Sequence, residues 1–221
     1  MNPTILNAPA KEGVAKASKP RHSSAFMRRG FWGGILLLPA SLAVIFSKPM
    51  VAHDGAVDHL METMGCAFFL LYVFFRFWAT LYIGDRKERE LVTTGPYSIC
   101  RNPLYLGSFF AALAVVCFLH SVALLIITLP AVAFYCRLVI PSEEAVLLHH
   151  FGDAFQQYLK ATPSVWPNFA GYRSPNAVEV KVAGLRRELK RFGASTLLFL
   201  MALVLCHLRA LPWWPHFFTL P

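Results

Sequence analysis

A chain of 221 residues that is 56% hydrophobic and only 15% charged departs from a soluble domain, in which about a quarter of residues carry charge. The deficit is concentrated in long apolar runs, so the sequence excludes an ordinary soluble globule and reads as an all-α integral membrane protein. A formal net charge of +9, with the basic residues flanking those runs, points to lipid headgroups and away from nucleic acid.

Residues 1–29 are polar and aperiodic and carry Lys11, Lys16, Lys19, Arg21, Arg28 and Arg29, which predicts a disordered basic cytoplasmic tail. The charged region is too long for a signal peptide, and no small-residue cleavage site follows the first apolar run. That run, 31–47, is the first predicted span, with Pro39 as a kink point. A short loop with Lys48, His53, Asp54, Asp58 and His59 leads to a second span at 62–83, which contains Arg76. The polar loop 84–101 precedes a third span at 103–119 and a fourth at 121–140, separated only by His120 and Ser121. That spacing predicts a tight helical hairpin. A polar segment, 141–192, leads to the last span at 193–209. The tail Pro212-Trp213-Trp214-Pro215-His216-Phe217-Phe218 reads as an interfacial aromatic belt.

Charge sets the orientation. The N-terminal tail holds 6 Lys or Arg, the 84–102 loop 4 and the 141–192 segment 7, together 17 of 21. Cytoplasmic loops carry such an excess. The N-terminus is therefore expected inside and the C-terminus outside, which requires an odd number of spans, and five agrees. Three units follow: the tail 1–29, a membrane core 30–173, and a C-terminal part 174–221.

Within that last part, Val178, Val182, Leu185, Leu189 and Phe192 recur at spacings of 4, 3, 4 and 3, opposite Lys181, Arg186, Arg187, Lys190 and Arg191. The pattern predicts a basic amphipathic helix on the inner membrane surface, as an anchor or as a lid. The five cysteines form no CxxC pair, so neither a disulfide framework nor a zinc set is expected. His53, Asp54, Asp58 and His59 lie on the outer side, and His149 and His150 diverge on a helix, so no metal site is expected.

Two cytoplasmic segments carry the polar chemistry. In the first, Gly95-Pro96 turns the chain, and Asn102-Pro103 reads as a helix N-cap followed by proline at the first helical position, with Arg101 outside and Tyr105 one turn in. In the second, Pro141-Ser142-Glu143-Glu144 reads as a new helix start, with Ser142 as N-cap and both acids in the first turn. Adjacent glutamates point about 100° apart, so one of the two faces any given ligand. The segments flank one hairpin, which predicts that Arg101, Asn102, Tyr97, Tyr105, Glu143 and Glu144 converge.

The pattern Gly-Pro-Tyr-x3-Arg-Asn-Pro-x-Tyr-x-Gly, an apolar hairpin, then Glu-Glu-x2-Leu-x3-Phe-Gly, resembles the isoprenylcysteine carboxyl methyltransferase family, which is related to the phospholipid N-methyltransferases. The match runs from about Arg76 to Pro167. The resemblance implies S-adenosylmethionine (SAM) as cofactor, bound on the cytoplasmic side, and a lipid-like or prenylcysteine-like acceptor methylated on oxygen, nitrogen or sulfur. It places cofactor contacts on Glu90, Leu91, Val92, Tyr97, Arg101, Asn102, Pro103, Leu104, Tyr105, Glu143 and Glu144. Arg101, Tyr105 and Glu143 are the candidate catalytic residues, Glu143 for the cofactor's amino group and Arg101 for its carboxylate. Arg76 and Arg137 are candidate acceptor contacts, with snorkelling or a scaffold role as the alternative. Many family members have His at the position of Asn102, so a mechanism requiring imidazole there is excluded. An Arg four residues before the first Glu, usual in the eukaryotic prenylcysteine enzymes, is here Val139. A membrane reductase of the sterol-reductase type using NADPH, and a non-catalytic membrane adaptor, are the competing readings.

Overall fold

The structure is a computed structural model that describes residues 44, 46–48, 55–84, 90–178, 180, 182–209, 211–215 and 217–219. The basic tail, most of the first predicted span, His53, Asp54 and Lys181 lie outside the described residues.

Helix α1 (Ala56–Ile83) ends at Gly84, whose φ of 45° stops the helix and whose N–H still bonds to Thr80. It is 28 residues long, so it begins earlier than the predicted span and takes in Asp58 and His59. Asp58 is buried there, 3.0 Å from His120 Nδ1, so the apparent loop acid is an internal polar partner. A four-residue helix, α2 (Pro96–Ile99), follows Gly95. Helix α3 (Pro103–Phe118) opens with proline at its first position, as predicted. The turn after it holds His120 at a φ of 48°, and Ser121 Oγ accepts from Leu124 N to cap the next helix.

The long helix that follows, α4 (Val122–Phe151), corrects the expected break at Pro141. It runs α-helical over Val122–Phe134, widens to a π-turn at Tyr135–Val139, and continues as Ile140–Phe151. Proline lacks an N–H and crowds the preceding turn. A π-turn is the local adjustment that lets a helix pass such a residue without ending. Ser142 is therefore no N-cap: its hydroxyl donates back to Val139 O at 2.7 Å. Glu143 and Glu144 do not face a free helix N-terminus.

After Gly152, at a φ of 56°, helix α5 (Asp153–Ala161) leads into an extended strap, residues 162–174, with one 3-10 turn at Phe169–Gly171. Helix α6 (Val182–Arg209) is continuous, so the expected interfacial helix and last span are one element. No proline interrupts 182–209, and nothing caps the expected break. The inward face differs as well. Gly184, Glu188, Phe199 and Cys206 are buried, while Val182 and Leu189 point outward. Where the surroundings are lipid, apolar side chains gain by facing out and a charged one must find a partner inside.

Among the described residues, α1, α4 and α6 are long and apolar enough to cross a membrane, and α3 is a shorter apolar helix. The protein is an integral membrane protein. A two-residue parallel pairing, Ser47–Lys48 with Phe218–Thr219, is its β-structure among those residues. Phe46 stacks on Trp214 at 6.2 Å, which gathers part of the predicted aromatic tail. Arg209 is buried and donates to Leu119 O, Ser47 O and Ser47 Oγ.

Helices α1 and α3 pack closely in antiparallel register. A Cβ on Gly65 would lie 2.8 Å from the Phe118 ring, and one on Gly107 would lie 2.7 Å from Arg76 Cγ. Small residues at such crossings let helix backbones approach where no hydrophobic effect drives them together. Tyr72, Ala114, Phe118 and Phe199 form the shared core of α1, α3 and α6. A second cluster, Phe75, Ile99, Cys100 and Leu106, seats α2 beneath α1 and α3.

Candidate functional site

The two polar segments meet. A cleft of about 730 Å³, open solvent included, is lined by Glu90, Leu91, Val92, Tyr97, Arg101, Asn102, Pro103, Leu104, Tyr105, Glu143 and Glu144. Ile83, Leu147, Phe151, Phe155 and Tyr158 complete its wall. All eleven residues expected at a cofactor thus lie around one space, contributed by the segment before α2, by α2, by the start of α3 with the two residues before it, and by α4.

The backbone explains why. Gly95 adopts a φ of +62°, and a Cβ there would lie 2.3 Å from the Tyr82 ring, so only glycine permits this turn. The strap then runs along the segment before α3: Arg101 N donates to Pro163 O at 2.9 Å, Asn102 N to Ser164 O at 3.0 Å, and Gly95 N to Arg173 O at 2.7 Å. Tyr158 donates to Tyr97 O at 2.6 Å, which ties α5 to α2. Leu91, Phe155 and Tyr158 form the apolar cluster beneath.

Arg101 and the two glutamates divide their roles. Arg101 Nε and Nη2 donate to Glu144 Oε1 and Oε2 at 2.9 and 3.1 Å, a bidentate pair. Its Nη1 donates to Leu159 O at 3.0 Å and also to Thr162 O. Asn102 Nδ2 donates to the same Glu144 at 3.0 Å, so this side chain does not cap α3. The guanidinium fork is therefore committed to the protein. Glu143 points elsewhere and accepts from the Tyr105 hydroxyl at 2.7 Å. That partner is neutral, so Glu143 brings negative charge to the cleft where Arg101 and Glu144 offset each other.

Tyr97 is buried, and its hydroxyl has no hydrogen-bond partner within the described structure. An unsatisfied buried hydroxyl costs about 1–3 kcal/mol, and the Tyr97 side chain forms part of the cleft wall. Burial pushes its pKa well above the usual phenol range, so the group stays a neutral donor. Burial likewise raises Tyr158, and it pushes the Cys100 thiol up to about 12. Cys100 is then a packed thiol and no nucleophile.

Arg76 and Arg137 are not on the cleft wall. Arg76 forms a fork with Glu188 of α6, through Nε and, at 3.1 Å, Nη2, and donates to Ser108 Oγ at 3.1 Å. Arg191 donates to the same Glu188 at 3.1 Å. Arg137 is exposed in the π-turn. Sequence reasoning missed Tyr158, Phe155, Leu147 and Phe151 as cleft residues, and it missed Glu188. The apolar spacing of Leu147, Phe151, Phe155 and Tyr158 was the available signal for the first four.

The cleft offers apolar walls and an acid, Glu143, whose described partner is neutral. It suits a medium-sized molecule that is partly apolar and carries positive charge.

The phospholipid methyltransferase family model matches residues 60–154. The chain is 34% identical over 198 residues to a nickel-cobalt-cadmium resistance protein of Alcaligenes xylosoxydans xylosoxydans, covering 88% of this chain and 90% of that one. It is 34% identical over 137 residues to a cobalt-zinc-cadmium resistance protein of Cupriavidus metallidurans, 62% of this chain and 63% of the relative. It is 39% identical over 82 residues to the protein-S-isoprenylcysteine O-methyltransferase of Schizosaccharomyces pombe, 37% of this chain and 34% of that enzyme. No solved structure matches the chain.

Proposed function

The chain belongs to the membrane methyltransferase family that includes the phospholipid and isoprenylcysteine enzymes and is a SAM-dependent methyltransferase, and from that premise we propose that its cleft methylates a lipid-like acceptor arriving from the bilayer. The observation that carries the reading is the convergence of Glu143, Tyr105 and Tyr97 on one space. When bound, SAM supplies an activated methyl group on a sulfonium.

The residues take these roles. Glu143 holds the cofactor's ammonium, and Tyr105 orients that carboxylate by its hydrogen bond. Tyr97 donates its hydroxyl to the bound molecules. Arg101, Glu144 and Asn102 brace the cleft wall and tie it to the strap. This revises the expectation that Arg101 takes the cofactor carboxylate, because four of its five N–H donors are used inside the protein. Leu91, Val92, Leu147, Phe151 and Phe155 exclude water from the reacting groups. In-line alignment at about 3–3.5 Å supplies most of what such a transfer asks of a protein. An amine, thiolate or carboxylate acceptor requires no base from the enzyme. Arg76 is a scaffold residue through Glu188, and Arg137 remains a candidate acceptor contact at the membrane surface.

The proposal includes five spans, with the first largely outside the described residues, the N-terminus cytoplasmic and the cleft facing the cytoplasm. The support is the count of 17 among 21 basic residues on that side. The test is incubation of membranes with methyl-labelled SAM, followed by lipid extraction. Wild-type protein is expected to label a lipid-soluble product, and Glu143→Ala is expected to lose the label. Equal labelling by the two, or none by the wild type, overturns the assignment.

A further inference from the structure

The roles assigned above leave one surface unused. The strap carries Trp166, Phe169 and Tyr172, exposed by 83%, 63% and 48%, beside the exposed Arg173. These rings are held outward by a rigid backbone: Asn168 N donates to Ile99 O at 2.9 Å, Asn168 Oδ1 accepts from Ala170 N, and Arg173 N donates to Ser98 Oγ. Clustered apolar exposure of this kind marks an interaction surface.

Its neighbours say what covers it. Tyr172 packs against Trp78 at 5.9 Å, and Trp78 against Phe74 at 5.1 Å. Phe74 is exposed by 53% on the flank of α1, the face that meets lipid. The aromatic row therefore continues from a membrane-spanning helix onto the strap without a gap. Depth agrees. Helix α1, with 28 residues, is about 42 Å long against a hydrocarbon core of about 30 Å, so about 6 Å projects at each end. Trp78 lies about 8 Å from the Ile83 end, close to the boundary of hydrocarbon and headgroups. Amphipathic tryptophan and tyrosine rings partition to that layer, and a flanking arginine meets its phosphates.

We propose that the strap is an interfacial anchor: Trp166, Phe169 and Tyr172 insert into the headgroup layer of a phospholipid bilayer. The same strap accepts hydrogen bonds from Arg101 N and Asn102 N through Pro163 O and Ser164 O. Lipid contact at the rings thus fixes the level of the cleft wall relative to the bilayer.

The test uses the full chain with Trp32→Phe, Trp78→Phe, Trp213→Phe and Trp214→Phe, leaving Trp166 as the single fluorophore, in phosphatidylcholine vesicles. With acyl chains brominated near the headgroup, Trp166 is expected to lose most of its emission while remaining shielded from iodide. Full iodide access without quenching by the brominated lipid overturns the anchor. So does shielding from iodide without lipid quenching, which would mean that protein covers the strap. Should the fourfold variant fail to fold, the wild-type chain in vesicles carrying a photoactivatable phospholipid is digested and mapped by mass spectrometry. Adducts on 163–173 support the anchor, and adducts confined to the spanning helices overturn it.

Discussion

Replacing Glu144 by alanine isolates the brace from the ligand-facing acid. Both members of the Arg101–Glu144 pair are largely buried, at 13% and 15% side-chain exposure. Removing one member of a buried pair costs about 3–5 kcal/mol, chiefly because a charge is left uncompensated. Here Arg101 keeps two carbonyl acceptors, Leu159 O and Thr162 O, and some access to water, which lowers the expected loss to about 2–3 kcal/mol. For a chain of this size that corresponds to a fall of about 4–12 °C in Tm. Glu143→Ala removes one hydrogen bond from a neutral partner, worth about 1 kcal/mol, and lowers Tm by a few degrees at most. The order reverses for SAM: losing a charge-assisted contact to the ammonium costs about 1.5–3 kcal/mol, or about ten- to a hundredfold in Kd. Thermal unfolding in detergent and calorimetric titration with SAM measure the two quantities. If Glu144→Ala melts with the wild type, or Glu143→Ala binds SAM normally, the division of labour is refuted.

Tyr97→Phe removes a buried hydroxyl that has no partner within the described structure; it is expected to leave Tm unchanged or raised while weakening SAM binding about three- to tenfold, read by the same titration. Glu188→Ala leaves Arg76 with Ser108 and is expected to cost about 3 kcal/mol, whereas Arg76→Met with Glu188→Leu is expected to recover most of it; thermal melts of the two variants beside the wild type decide. Cys100, with its thiol pushed up to about 12 by burial, stays protonated and is expected to resist alkylation up to about pH 9, becoming reactive only on unfolding, as mass spectrometry of iodoacetamide-treated protein would show. Gly107→Leu is expected to displace Arg76 from Glu188, because a Cβ there already lies 2.7 Å from Arg76 Cγ; a Tm loss matching that of Glu188→Ala checks the link.

The cleft was legible in the sequence because its residues flank two apolar runs separated only by His120 and Ser121. A chain that crosses and returns must bring the flanks together. What the flanking residues do to each other was not legible. Glu143 and Glu144 differ by one position, and their roles depend on the continuous α4, whose π-turn rotates Glu144 toward Arg101 and Glu143 toward Tyr105. Proline and serine at 141 and 142 signalled a helix start because those cues are calibrated on chain ends in water, and a wide turn absorbed them instead. The inward face of α6 was hidden for a related reason. Its apolar stripe was read as resting on the membrane surface, and nothing local showed that Glu188 turns inward to Arg76, a partner far away in sequence. Asp58 was assigned to a loop because nothing local reveals its pairing with His120. The predicted tail, first span and outer histidine 53 fall largely on residues that the structure does not describe.

The central claim is that this cleft is a SAM site. Titrating the purified, detergent-solubilised protein with SAM and, in parallel, with NADPH tests it most directly. The account predicts saturable heat with SAM that weakens at least tenfold in Glu143→Ala, and none with NADPH. Absence of SAM binding at millimolar concentration, or saturable binding of NADPH in its place, would contradict it.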